Sequence, residues 1–146
     1  MRIEVTVEIR NTEDERKVMN ALSNVFSYSK ISKVNNLGRT FLIAESNNLL
    51  SLEKISNLIK NSRIELSARS ILQKSIKNGV MKFSLNKQAA YMNRISFCTV
   101  ENESALGPID FRIICEDYQR LIDFLAPLPK KIISKQNRRD HKQEMY

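Results

Sequence analysis

The first ten residues alternate apolar and polar side chains. The apolar positions are Ile3, Val5, Val7 and Ile9, and charged or hydroxyl-bearing side chains stand between them. Neighbouring side chains of a strand point to opposite faces of its sheet. The alternation therefore predicts a strand with one buried face and one solvated face. A second strand pattern, ISKVNN followed by RTFLIAES, flanks Leu37–Gly38 and predicts a hairpin with Gly38 in the turn.

Helical spacing of apolar residues predicts four helices. The first begins at a capping box formed by Thr12 and Glu15 and runs to about Phe26, and Asp117 caps the last, which ends before Pro127. The inward positions are Val18, Leu22 and Val25 in the first helix, Leu49, Leu52, Ile55, Leu58 and Ile59 in the second, Ile64, Ala68, Ile71, Leu72 and Ser75 in the third, and Tyr118, Leu121, Ile122 and Leu125 in the last. Gly79 ends the third helix, so Lys77 is expected on its basic outer face.

Three further runs have strand composition: VMKFSL at 80–85, RISFCT at 94–99 and IDFRII at 109–114. Residues 86–93 are too few for a parallel crossover, so the first two runs are expected to pair antiparallel. Helices and strands together predict a small α+β domain over residues 1–129.

The apolar positions of this hairpin also suggest a register. If Phe83 and Leu85 face the core, Leu85 pairs with Ile95 and Phe83 pairs with Phe97. A slip of one residue would set Ser84 against Ile95, because side chains change face at every residue.

The totals are those of one ordinary globular domain. The chain has 146 residues, with 42% hydrophobic and 27% charged side chains. No apolar run reaches the roughly 20 residues of a membrane span, and the N-terminus does not resemble a secretion signal. Cys98 and Cys115 lack the close spacing of zinc or redox motifs and are expected to be buried thiols. We therefore expect a cytoplasmic protein.

The net charge of +8 is concentrated in part of the chain. Residues 1–53 carry seven basic and seven acidic side chains, whereas residues 54–94 carry nine basic side chains against Glu65. Residues 95–129 carry two basic side chains against six acids, and residues 130–146 carry six against two. A regional excess of positive charge favours a polyanionic partner, although it also serves as a solubilising surface.

Few residues suit catalysis or cofactor binding. His141 is the only histidine, so a nucleophile with a histidine base in the core is not expected. Gly38, Gly79 and Gly107 lie too far apart for a phosphate-binding glycine loop. The acids near the end of the chain are interpreted as a solvated rim: Glu101, Glu103, Asp110, Glu116 and Asp117. We expect no enzyme, no cofactor and no metal site.

Basic and amide side chains of the third helix and the adjoining hairpin form the candidate site for nucleic acid. They converge only if that helix packs beside the hairpin. The candidates are Arg63, Arg69, Lys74, Lys77, Lys82, Asn86, Lys87, Gln88, Tyr91 and Arg94. Asn86 would cap a short helix whose N–H groups suit a phosphate, or it merely caps while Ala89 and Ala90 pack. Tyr91 is the aromatic residue placed to stack on an unpaired base.

Four segments carry a family resemblance: NTEDERKVMNALSNVF, SARSIL, FSLNKQAAY and ESALGPIDF. They resemble the archaeal uncharacterised protein family 0201, over roughly residues 2–126. That family is described as RNA-binding, and its fold is similar to that of the ribosomal protein that carries 5S rRNA. The resemblance implies one mostly antiparallel sheet with helices packed on one face. Ala105 replaces an expected proline, and Met92–Arg94 replaces a usual glycine, which leaves the geometry of those two loops open.

Two functions follow from these observations. The first is non-catalytic RNA binding through the basic helix and hairpin. The second is a structural or interaction module that self-associates, with its basic segment against the acidic segment 95–129 of another copy. The tail from Lys130 to Tyr146 needs a surface to become ordered, because fixing a residue costs about 1–2 kcal/mol. We expect that surface on the acidic side of a second subunit, in a homodimer.

Overall fold

The structure is a computed structural model that describes residues 1–99 and 106–128. Within these ranges, six strands form one antiparallel sheet in the order β2-β3-β1-β6-β5-β4. The strands are β1 (Arg2–Ile9), β2 (Lys30–Asn36), β3 (Arg39–Ser46), β4 (Ile76–Lys77), β5 (Val80–Asn86) and β6 (Pro108–Ile114). The helices are α1 (Glu15–Val25), α2 (Glu53–Ser62), α3 (Glu65–Lys74), α4 (Lys87–Tyr91) and α5 (Tyr118–Leu125), and a 3₁₀ turn at Leu49–Leu52 leads into α2.

Alternation along β1 produces the predicted two-faced strand. Ile3, Val5 and Val7 are buried and Ile9 is half-buried. β1 lies inside the sheet, where it pairs with β3 on one side and β6 on the other. The intervening side chains point to the other face, which we call the open face. The helices pack on the buried face, so the predicted α+β fold with helices on one face of a single sheet is confirmed.

Aromatic rings occupy the middle of the core. Phe83 of β5 stacks on Phe111 of β6 with ring centroids 4.9 Å apart, and Phe26 meets Phe111 edge-on at 6.0 Å. The buried residues of α1, α2, α3 and α5 complete the same cluster. Phe26 directly follows α1, whereas Phe83 and Phe111 lie in the sheet. The three rings therefore connect the helical layer to the sheet.

The predicted strand over residues 94–99 is wrong, because this run contains only an isolated antiparallel bridge to β5, and the predicted register is also wrong by two residues. The structure pairs Leu85 with Phe97 in an isolated bridge, instead of with Ile95. The N–H of Asn86 donates to the Ser96 carbonyl at 2.8 Å. The connection needs more residues than predicted because it contains α4 and a turn after it. A two-residue shift preserves the face of each side chain.

The start of α1 also differs from the prediction. The N-cap is Asp14, whose carboxylate accepts a hydrogen bond from the N–H of Arg16 at 2.9 Å, and Thr12 plays no capping part. Glu13 accepts from the N–H of Arg10 at 3.0 Å. Three consecutive acids follow Thr12 in the sequence, and Asp14 takes the cap because aspartate, unlike glutamate, is a preferred N-cap residue.

The end of the third predicted helix is the largest local correction. α3 ends at Lys74, and Lys77 lies in β4, not on the helix. Asn78 and Gly79 adopt φ of 54° and 75° and form a two-residue turn that returns the chain into β5. Asn-Gly is a strong hairpin signal, and treating Gly79 only as a helix stop overlooked it. The helical expectation for Leu49–Leu52 is met by a 3₁₀ turn.

Several sequence-based expectations lie outside the described residues. They concern the packing of the tail, the acids Glu101 and Glu103, His141 and the loop at Ala105. In the described ranges, every helix is too short or too polar to cross a membrane. Cys98 and Cys115 are half-buried and are not joined in a disulfide.

Candidate nucleic-acid interface

Three cations share one end of the open face. Lys77 of β4 pairs with Val80 of β5, and Lys82, two residues later, therefore projects to the same face. Lys82 pairs in turn with Arg112 of β6. We call Lys77, Lys82 and Arg112, with Lys74 at the adjoining sheet edge, the basic corner. All four are exposed.

The basic corner lacks internal neutralisation. Lys82 and Arg112 stand directly opposite one another, an arrangement that destabilises a sheet through like-charge repulsion. Glu4 is the cross-strand neighbour of Arg112 on its other side, but the ion pair that Glu4 makes is with Arg2, at 4.0 Å. Among the described residues, no carboxylate forms an ion pair with any member of the corner. An anion placed there would relieve the repulsion.

Lys74 joins this corner through the backbone. It is the last residue of α3, and the next residue, Ser75, accepts a hydrogen bond from the N–H of Lys82 at 3.2 Å. A lysine in the last turn of a helix also favours the helix dipole. Lys74 therefore has a structural use besides any contact with a ligand.

Gln88, Tyr91 and Arg94 form a separate exposed group on α4 and the turn after it. α4 packs on α1, and the Asn24 side-chain amide donates to the Ala90 carbonyl at 2.9 Å. Four residues of β5 follow Lys82 before α4 begins, which separates this group from the nearest member of the basic corner by about 13 Å along the strand. The ten predicted site residues therefore do not form one patch.

Lys87 is buried, which no pattern in the sequence indicated. Its side chain is 4% exposed, and its ammonium lies 2.9 Å from the Glu13 carboxylate. The same ammonium donates to the carbonyls of Glu8 at 2.8 Å and Leu106 at 2.6 Å. All its donors are used, so Lys87 holds the fold and offers nothing to a phosphate.

The remaining predicted residues also have structural partners or lie apart. Asn86 caps α4 by accepting from the N–H of Ala89 at 2.9 Å. The Arg69 guanidinium is 13% exposed and binds Asp123 at 2.8 Å and the Ala126 carbonyl at 2.9 Å, which ties α3 to α5. Arg63 is exposed in the turn between α2 and α3, at the opposite end of α3 from Lys74.

Arg112 was missing from the sequence-based candidates. The strand IDFRII alternates, so Arg112 was predictable as a solvated residue. Its position next to Lys82 was not predictable, because β5 and β6 pair although α4 and further residues separate them in the sequence. Residues 95–129 carry a net negative charge, so a search for segments rich in basic residues did not select Arg112.

The other end of the open face is apolar. Val34 of β2 is 39% exposed and pairs with Phe41 of β3, and Ile43 follows on the same face. The Arg39 guanidinium lies 5.1 Å from the Phe41 ring and binds Glu8 at 2.7 Å. We call Val34, Phe41 and Ile43 the apolar end. The open face thus has two chemically different ends.

A cavity of about 460 Å³ lies between α1 and α4, and its lining includes Glu13 and Asp14. Paired carboxylates in a cavity are a usual sign of acid–base chemistry. Here Glu13 is paired with Lys87 and Asp14 caps α1, so both already have structural roles.

Comparison with known proteins agrees with the resemblance in the sequence. A family model described as RNA binding matches residues 2–114. A UPF0201 protein of Metallosphaera sedula is 43% identical over 126 residues, which cover 86% of this chain and 87% of the relative. A UPF0201 protein of Sulfurisphaera tokodaii is 42% identical over 130 residues, covering 89% and 90%. This chain belongs to the archaeal UPF0201 family.

The fold of this UPF0201 protein also matches a solved relative. The crystal structure of a UPF0201 protein from Methanococcus jannaschii superposes with a TM-score of 0.75 at 25% identity, over 89% of this chain and 96% of that chain.

The segment FSLNKQAAY, which carried the resemblance, is the passage from β5 into α4, and it contains the buried Lys87. Met92–Arg94 stands where the family resemblance leads us to expect a glycine. Within this segment, Asn93 adopts φ of 57°, a conformation that favours glycine and that asparagine tolerates.

Proposed function

We propose that this chain is a cytoplasmic, non-catalytic RNA-binding protein whose basic corner contacts backbone phosphates. The observation that carries the proposal is the pairing of Lys82 with Arg112 beside Lys77, without an ion-pair partner among the described residues. Cations held close together on a sheet face attract a polyanion and release its counterions. Membership of a family described as RNA binding supports the choice of polyanion.

The α4 group adds a different kind of contact. Tyr91 is 42% exposed, and a tyrosine ring at a surface stacks on unpaired bases with little dependence on sequence. Gln88 and Arg94 stand beside it as an amide and a cation. We assign phosphate contacts to the basic corner and base contacts to this group.

Charge reversal tests the proposal. Fluorescence anisotropy with labelled structured and single-stranded RNA would compare the wild type with Lys77→Glu/Lys82→Glu. We expect micromolar, salt-sensitive binding by the wild type and at least a tenfold loss in the variant. The matched control, Arg16→Glu/Lys60→Glu, makes the same change of charge at exposed positions away from the corner. Equal losses in both variants, or no binding by the wild type, would refute the proposal.

Self-association is a second candidate function, and the apolar end favours it. Val34 is exposed there and Phe41 and Ile43 are half-buried, and apolar side chains that reach the surface together mark surfaces that other chains cover. A second copy on this end would leave the basic corner accessible, so a homodimer and RNA binding are compatible. Light scattering across protein and salt concentration would show a dimer that Val34→Glu shifts towards monomer. A monomer under all conditions would eliminate this candidate.

A further inference from the structure

A polar cleft lies beside α4, away from the basic corner. Its volume is about 250 Å³, and its lining comprises Asn24, Lys54, Asn57, Leu58, Asn61 and Asn93. The residues come from α1, α2 and the turn after α4. Four of the six are asparagines, and none is acidic.

The asparagines of α2 share one face of that helix. Lys54, Asn57 and Asn61 are three and four residues apart, so their side chains lie in one row. Asparagine is a weaker helix former than lysine, glutamine or glutamate by a few tenths of a kcal/mol per residue. Its use twice in this row, at exposed positions, has no explanation in helix stability.

Several hydrogen-bonding groups in the cleft remain available. The Asn24 amide nitrogen is engaged with the Ala90 carbonyl, and the Lys54 ammonium donates to the Ser23 carbonyl at 2.6 Å. Within residues 1–99 and 106–128, the side chains of Asn57, Asn61 and Asn93 form no hydrogen bond. Each carries both a donor and an acceptor. The cleft therefore contains amide N–H donors and amide carbonyl acceptors that form no hydrogen bond within the described residues.

Exposed side chains precede Asn93 in the chain. Tyr91, the last residue of α4, and Met92 are 42% and 64% exposed. Both line the larger cavity between α1 and α4. Arg94 follows directly, and it too is exposed.

We propose that the asparagine cleft takes one unpaired base of an RNA, with its edge bonded by the amides of Asn57 and Asn61. The proposal rests on the RNA binding proposed above and adds where an unpaired nucleotide is held. Side-chain amides bond the donor and acceptor pair on an adenine edge, which makes adenine the preferred base. The volume, below the roughly 300–1,000 Å³ of pockets for drug-sized ligands, suits one base rather than a larger molecule.

A pair of RNAs tests this directly. One is a blunt duplex, and the other is the same duplex with a 3′ overhang of three adenosines. We expect the wild type to bind the overhang RNA about tenfold more tightly, since each added hydrogen bond changes affinity severalfold. Asn57→Ala/Asn61→Ala should abolish the difference and leave duplex affinity unchanged. The control Asn35→Ala/Asn36→Ala, in β2, should keep the difference.

Failure of this proposal is distinguishable from failure of the proposed function. Duplex binding without an overhang preference, or a preference that survives Asn57→Ala/Asn61→Ala, would overturn the cleft and leave phosphate contact intact. If neither RNA binds, titration with adenosine 5′-monophosphate tests whether the cleft binds a base, and the side-chain amide NMR signals report the binding. Shifts at Asn57 and Asn61, without shifts at Asn35 and Asn36, would support it, and unmoved signals would refute it. Because alanine favours helix, circular dichroism should show the variant folded.

Discussion

At the scale of single residues, the Lys87 ammonium connects four segments of the fold. It binds the Glu13 carboxylate before α1 and the backbone carbonyls of Glu8 and Leu106. Burying a charge is costly unless it is paired and fully hydrogen-bonded, and here both conditions hold. This contact fixes α4 against the N-terminal end of α1 and the end of β1.

We expect Lys87→Met to destabilise the fold by about 3–5 kcal/mol, because it leaves the Glu13 carboxylate buried without its cation. Urea denaturation measures the change. Adding Glu13→Gln should recover part of the loss by removing the orphaned charge. Lys74→Met, at an exposed site, should stay within about 0.5 kcal/mol of the wild type. A Lys87→Met protein as stable as Lys74→Met would contradict the assignment.

The Glu8–Arg39 pair predicts a dependence of stability on pH. A hydrogen bond from Arg39 lowers the pKa of the Glu8 carboxyl below its ordinary value, against the opposing effect of burial. A lowered folded pKa contributes stability above the unfolded pKa of about 4.3, and that stability is lost as pH falls through the folded pKa. The free energies of unfolding of wild type and Glu8→Gln should differ at pH 7 and converge in strong acid. A difference that does not change with pH would disprove this linkage.

At the scale of elements, the Asn78–Gly79 turn sets where Lys77 and Lys82 stand. Gly79 has φ of 75°, and a Cβ there would meet no atom within 4 Å. Gly79→Ala therefore tests backbone strain alone, and we expect a loss of about 1–2 kcal/mol in stability by thermal or urea unfolding. Gln73→Ala, on the exposed side of α3, is the matched control and should be close to neutral. Equal stability of the two variants would show that the turn relaxes without strain.

Arg69 and Lys74 lie on the same helix and should separate structure from binding. Arg69 is bonded to Asp123 and to the Ala126 carbonyl, so Arg69→Met should lower stability by about 1–3 kcal/mol and leave RNA affinity unchanged. Lys74→Gln should weaken RNA binding and keep stability. Unfolding and binding measurements on both variants check this pair. A loss of RNA affinity in a fully folded Arg69→Met would return Arg69 to the site.

Local periodicity was sufficient to predict most elements. The alternation in β1 and the spacing in α1, α2 and α5 follow from which side chains must reach the core. Periodicity did not predict that Lys77 lies in a strand, which depends on the chemistry of the turn after it. It also did not predict that Phe97 pairs with Leu85, which depends on how many residues α4 occupies. Turns carry few apolar residues, so a periodic pattern contains little information about them.

At the scale of the whole molecule, the open face combines a basic end on β4, β5 and β6 with an apolar end on β2 and β3. The sequence placed Lys77 and Lys82 among the candidates for the proposed site, because a regional charge excess is visible without a fold. It could not identify Arg112, which joins them only through strand order, nor exclude Lys87, whose burial arises from four separate segments. Site prediction was limited by contacts that are distant in sequence.

The salt dependence of RNA binding tests the central claim most directly. The claim is that Lys77 and Lys82 contact phosphates. Each phosphate contact contributes a slope of about −0.7 on single-stranded RNA to the plot of log Kobs against log salt concentration. Lys77→Gln/Lys82→Gln should therefore make the slope shallower by about 1.4, and Arg16→Gln/Lys60→Gln should leave it unchanged. An unchanged slope in Lys77→Gln/Lys82→Gln would contradict the account.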